Sequence, residues 1–220
     1  MKVLLFGATG MIGQGVLREC LLDPTVDRVV SVGRSASGQA HPKLKEVVHQ
    51  NLLDLHAIAP ELVGLDACFF CLGVSSAGLS EAAYRAITHD LTLAAARTLV
   101  GLNPAMTFAY ISGAGADGSE QGRIMWARVK GQTENALLRL PFKAVHLFRP
   151  GAIQPLHGST SRTPLYRLLY RVLGPFLPLL KKVSPDSLTT TEQLGRAMLH
   201  AAQKGAPQPI LEMRDINRLG

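Results

Sequence analysis

An apolar run of strand length, Val3-Leu4-Leu5-Phe6, leads directly into three glycines spaced three apart, Gly7-Ala8-Thr9-Gly10-Met11-Ile12-Gly13. After them Met11, Ile12, Val16 and Leu17 recur at helical spacing, which makes the segment strand, tight turn and helix. A side chain at Gly7 or Gly10 would hold the backbone away from a pyrophosphate, and one at Gly13 would hold the helix off the sheet. The unpaired N–H groups at the helix start then face the anion. A glycine turn that binds nothing is the plain alternative, and the context must choose between them.

The chain has 220 residues, enough for a sizeable core in a single domain, and 47% of them are hydrophobic. Its formal charge of +7 favours an anionic partner such as a phosphorylated cofactor. The basic residues are scattered and not interleaved with aromatics, so nucleic acid is not expected. Three cysteines, Cys20, Cys68 and Cys71, argue against a disulfide framework and for a reducing compartment. Cys68-Phe-Phe-Cys71 has the spacing of a redox pair, but it ends a buried strand where nothing stabilises a thiolate. The seven histidines are dispersed, and no metal site is expected. Lys2 precedes an apolar run too short for a signal sequence, so the mature chain is expected to begin in its first strand, in the cytoplasm.

Asp23-Pro24 breaks the first helix, and Val26 to Val32 forms the second strand, ending Gly33-Arg34. An NAD enzyme usually places a carboxylate here on the ribose 2′-hydroxyl, whereas an arginine accommodates a 2′-phosphate. Arg34 therefore favours NADP over NAD. Lys45 to His49 makes a third strand, and Asn51-Leu52 at its end is placed beside the adenine. Asp54 is read as a helix cap. Asp66 to Cys71, Ala105 to Ile111 and Phe142 to Phe148 supply three more strands. Their ends, Cys71-Leu72-Gly73, Ser112-Gly113-Ala114 and Pro150-Gly151-Ala152-Ile153, fall on the edge of the sheet where ligands bind. A long helix starts near Ser80 with an apolar stripe of Tyr84, Ile87, Leu91, Ala94, Ala95 and Thr98, and another spans Ile124 to Leu140. Alternating strands and helices specify an α/β fold, a Rossmann-type doubly wound parallel sheet in three layers. Residues 1–150 would form the cofactor-binding core and 151–220 a small substrate or lid portion.

The glycine turn, Arg34, Ser112, Lys130-Gly131 with Glu134, and Arg149-Pro150-Gly151 stand in the order of the short-chain dehydrogenase/reductase superfamily, which the chain resembles over nearly its whole length. It looks most like the atypical or extended-like members grouped with the NAD-dependent epimerase/dehydratases. The resemblance implies that Ser112 orients the substrate oxygen and that Lys130 grips the nicotinamide ribose. It places Trp126 where the family has its tyrosine acid. An indole N–H can donate a hydrogen bond but cannot exchange a proton near neutral pH. Tyr110, Tyr84, His157, and Lys130 acting through a water are the remaining candidates for the proton. Trp126 itself either stands beside the nicotinamide or packs between helix and loop.

Residues 163–183 carry an amphipathic pattern that fits a pocket lid, a subunit contact or a membrane-surface helix, with the lid favoured. A last helix is read over Ser187 to Ala202, and Pro209 to Glu212 as an added strand. The resemblance also implies a homodimer. Two functions follow: an NADP-dependent oxidoreductase or epimerase-like enzyme on a small carbonyl or alcohol, and a cofactor-binding sensor or assembly protein without turnover.

Overall fold

Side chains alternate between the two faces of a strand, and that period of two sorts the core of this chain into two layers. A computed structural model describes residues 1–159 and 188–220. In β1 (Lys2–Phe6), Val3 and Leu5 face one layer and Leu4 and Phe6 the other. β4 (Ala67–Phe70) divides in the same way into Ala67 and Phe69 against Cys68 and Phe70. β5 (Thr107–Ile111) divides into Ala109 and Ile111 against Phe108 and Tyr110. With β2 (Arg28–Gly33), β3 (Leu44–Val48), β6 (Ala144–Arg149) and β9 (Ile210–Glu212) they form a seven-stranded sheet in the order β3-β2-β1-β4-β5-β6-β9. Every pairing in it is parallel. The central strands are apolar on both faces, as a parallel sheet covered on both sides requires.

One face is covered by α1 (Met11–Leu22), α5 (Thr191–Lys204) and α6 (Met213–Leu219), through Val16, Leu17, Leu194, Met198 and Ile216. The other is covered by a 3-10 turn at His56–Leu62, by α3 (Leu91–Leu102) and by α4 (Met125–Leu138), through Leu62, Leu93, Ala96, Leu99 and Leu137. This is the doubly wound α/β architecture expected. α1 and α5 lie close because Gly15 and Gly195 carry no side chain: a Cβ on Gly15 would sit 2.6 Å from Thr191 Cβ, and one on Gly195 2.8 Å from Glu19 Cγ.

Three elements differ from the expectation. The helix from Ser80 is not uniform: α2 (Glu81–Arg85) passes through a π-helical turn at Ala86–Asp90 before α3. That turn inserts one residue, so beyond Tyr84 the buried face is Thr88, Thr92, Ala95, Ala96 and Leu99, one place later than the expected stripe. Ile87, expected inside, is 40% exposed. Ala152 and Ile153, placed in a cofactor loop, belong to β7 (Ala152–Gln154), which pairs in parallel with β8 (Leu188–Thr190) in a second, two-stranded sheet. The last helix accordingly starts later than expected, with the Thr190 hydroxyl accepting from Gln193 N at 3.0 Å. The amphipathic pattern at 163–183 lies outside the described residues.

Candidate functional site

At the carboxyl edge of β1 the chain turns through Gly7, whose φ of +85° suits glycine and whose Cβ would lie 2.7 Å from the Cys71 carbonyl. A Cβ on Gly13 would lie 2.0 Å from the Gly7 carbonyl oxygen, so the two glycines let turn, helix and neighbouring strand close on one another. Gly7 is thus required by the Cys71 backbone. Gly10 differs: a Cβ there would meet only the Gly7 oxygen, at 3.4 Å, and the residue faces a cleft. As the N-cap of α1 it offers no side chain, so the N–H groups of the first turn are left open there.

The cleft holds about 380 Å³ and joins four strand ends. Gly10, Met11 and Ile12 come from β1 and α1, Cys71-Leu72-Gly73 from β4, Ser112 from β5, and Pro150, Gly151 and Ile153 from β6 and β7. Lys130 reaches it from α4. The Ser112 hydroxyl is buried with no hydrogen-bond partner among the described residues, which leaves it for a ligand. The Ser112 turn is fixed to the β6 end by Ser112 N to Phe148 O at 2.7 Å and Ala114 N to Pro150 O at 2.9 Å.

Lys130 is 9% exposed, and its Nζ donates to the Tyr110 hydroxyl and to the Ile111 carbonyl, both at 3.0 Å. The same nitrogen stands 4.7 Å from the centroid of the Tyr110 ring. Burial lowers its pKa to about 8, partly opposed by the charge of Glu134. One turn along α4, Glu134 is 1% exposed and takes Arg149 Nε at 3.0 Å and Nη2 at 2.5 Å. Arg149 also donates to Glu212 at 3.1 Å, so a single guanidinium ties β6, α4 and β9 together beneath the cleft. Gly131 lets the Asp117 loop rest on α4: a Cβ there would lie 1.7 Å from the Asp117 carbonyl oxygen.

No family model matches the chain. The protein FMP52, mitochondrial, of Chaetomium globosum is 28% identical over 235 residues, covering 99% of this chain and 96% of its own length. Protein HTATIP2 of Rattus norvegicus is 29% identical over 156 residues, 69% of this chain and 62% of that protein. Among solved structures, the Bordetella bronchiseptica enzyme WbmF in complex with NAD+ superposes with a TM-score of 0.69 at 16% identity, over 99% of this chain and 76% of that one. DesIV, a dTDP-glucose 4,6-dehydratase from Streptomyces venezuelae with NAD and TYD bound, superposes with a TM-score of 0.69 at 17% identity, over 97% and 75% of the two chains. The chain has the short-chain dehydrogenase/reductase fold.

Within this fold the expected site residues divide into three sets. The eleven that line the cleft are named above. Gly7, Ala8, Thr9 and Gly13 lie in the turn and helix that form its floor, and Ala152 is on β7. Arg34, Asn51 and Leu52 stand beyond it, after the carboxyl ends of β2 and β3 on the same sheet edge. Arg34 is exposed, its carbonyl held by Gln50 Nε2 at 2.9 Å, whereas Leu52 is buried in an apolar layer. Trp126 is half-buried and lies over the Ser112 turn instead of lining the cleft: a Cβ on Gly115 would be 3.6 Å from its Cη2.

His157, a candidate for the proton, faces away and bonds Glu192 at 2.6 Å. Cys68 and Cys71 point to opposite faces of the sheet, and burial raises the pKa of both thiols, so they form no redox pair. Asp54 Oδ1 accepts from His56 N at 2.9 Å, at the start of the 3-10 turn. Among the described residues no group of three or more histidine, cysteine or acidic side chains could hold a metal, and no helix is long and apolar enough to cross a membrane. The expected cytoplasmic location is corrected by the FMP52 relatives, which are named mitochondrial proteins: cysteine usage reports a reducing environment, which does not specify a compartment. Sequence reading also missed the Glu134–Arg149 pair. Both residues stood among the family-like motifs, but their spacing gives no signal that they meet.

Proposed function

We propose that the chain is an NADP-dependent oxidoreductase or epimerase-like enzyme acting on a small carbonyl or alcohol. The observation that carries this reading is one cleft in which the open first turn of α1 meets the unpartnered Ser112 hydroxyl and the Lys130 amine. The N–H groups of Met11 to Gly13 would hold a pyrophosphate and Ser112 would donate to the substrate oxygen. Bound there, a nicotinamide supplies hydride chemistry. The bound NAD in WbmF and DesIV supports a nicotinamide cofactor; Arg34, exposed after β2, is the reason to expect the 2′-phosphate form. Ile87 and Leu138, exposed on the helices between β4 and β6, and Ile124, exposed at the start of α4, fit a homodimer contact.

Oxidation of NADPH in the presence of small aldehydes and ketones tests the reading. Ser112→Ala is expected to lower kcat/KM about 100-fold with the NADPH Kd changed by less than about threefold. A chain that binds NADPH and turns over none of these carbonyls would instead be the cofactor-binding sensor, a reading that the removal of Trp126 from the cleft lining favours.

A further inference from the structure

The resemblance puts Trp126 at the family's tyrosine position, and that side chain packs on the Gly113–Gly115 turn, so a carbonyl in the cleft would have to obtain its proton elsewhere. Tyr110 and Tyr84 are buried, at 1% and 3% exposure, and neither lines the cleft, and His157 is turned toward Glu192. Lys130 remains. Its ammonium has three N–H bonds: one is directed at the Tyr110 hydroxyl and one at the Ile111 carbonyl. The third is the one available to the cleft that the residue lines. The Ile111 carbonyl belongs to the residue before Ser112, so the amine is anchored to the same strand end that carries the unpartnered Ser112 hydroxyl. Both donors belong to residues that line the one cleft where a substrate oxygen can sit.

We propose that Lys130 is the proton donor and acceptor for the carbonyl or alcohol in this cleft, with Tyr110 as its positioning residue. The proposal rests on the oxidoreductase reading. Lys130 gives its third proton to the carbonyl oxygen as the carbonyl carbon receives hydride from the reduced nicotinamide, the two-electron reductant. The C=O π bond is replaced by one C–H and one O–H bond, and the neutral amine regains its proton from water. In the oxidation direction the amine takes the alcohol proton. A lysine with an ordinary pKa near 10.4 would be a poor partner for this exchange, whereas burial brings Lys130 to about 8. The surrounding groups are consistent with this. Glu134 on α4 is paired with Arg149 of β6. Tyr110 on β5 and the Cys71 thiol at the β4 end are both held protonated by burial. Tyr84, from α2, adds to the rise at Tyr110.

The test uses the full chain with NADPH and 4-nitrobenzaldehyde, alongside trace acetylation of each lysine in the cofactor-free chain followed by mass spectrometry across pH. Cofactor binding is measured separately by fluorescence of Trp126, the chain's one tryptophan. Lys130 is expected to be acetylated with a midpoint near pH 8, and the reduction rate to fall tenfold per pH unit above the same midpoint. Lys130→Met should lose about 100-fold in rate below that midpoint and should show no break above it. Tyr110→Phe removes an oxygen that stabilises the ammonium, so both midpoints should move down together. An ordinary lysine midpoint for Lys130 would overturn the proposal. So would a rate break that stays in place while the Tyr110→Phe labelling midpoint moves, whereas a wild-type chain that binds NADPH but never reduces the aldehyde counts against the oxidoreductase reading. Failure of the wild-type chain to bind NADPH at all removes the oxidoreductase reading itself, and is seen in the titration before any rate is measured.

Discussion

A β-carbon at Gly13 would lie 2.0 Å from the Gly7 carbonyl oxygen, and neither backbone segment can yield without opening the turn. Gly13→Ala is therefore expected to cost about 1–3 kcal/mol in urea unfolding, as an overpacked site does, and to abolish NADPH binding. Lys130 provides a second prediction at this scale. Its folded pKa of about 8 lies below the roughly 10.4 of an unfolded lysine, so between those values the unfolded chain binds the extra proton and stability rises with pH. Wild type should gain about 3 kcal/mol over that window relative to Lys130→Met, which lacks the titration. Individual residues were legible in the sequence where backbone geometry or charge decides, as at the glycines. They were less legible where packing decides: the sequence left Trp126 either beside the nicotinamide or packed between helix and loop, and only the structure shows its ring on the Gly113–Gly115 turn.

Among the elements, the π-helical turn at Ala86–Asp90 is the feature a fixed helical period misses, since one extra residue rotates everything after it. Deleting Ala86 should let α2 and α3 join as one α-helix with Tyr84 and Leu99 still buried, and should shift the thermal midpoint by only a few degrees. Deleting Ala94 rotates Leu99 out of the core instead and should leave the chain largely unfolded; circular dichroism melting distinguishes the two. The Glu134–Arg149 pair makes a different demand. Glu134→Leu would strand a guanidinium that is only 14% exposed, at a cost of about 3 kcal/mol measured by denaturant titration. Arg149 keeps Glu212 at 3.1 Å, which places the loss at the lower end for a broken buried pair.

In the whole molecule, strand and helix alternation specified the parallel sheet because a right-handed crossover leaves few other topologies. It did not reveal the two-stranded β7–β8 sheet or α6, whose segments are too short to show a period; α6 is marked only by the reciprocal cap between Glu212 and Asp215. Burial of His146 on β6 lowers its pKa, so the unfolded chain takes up a proton that the folded chain resists as pH falls below about 6.5. Stability should drop over that range, and His146→Leu should remove part of the drop in urea midpoints measured at pH 5 and pH 7. We propose that the cleft edge is built for a dinucleotide with a 2′-phosphate, a reading carried by Arg34. Titration of wild type and Arg34→Ala with NADPH and NADH, followed by Trp126 fluorescence, tests it most directly. The expected result is NADPH bound more tightly than NADH, with Arg34→Ala weakening NADPH about tenfold or more and leaving NADH unchanged. Preference for NADH, indifference to Arg34→Ala, or no binding of either nucleotide at high micromolar concentration would contradict it.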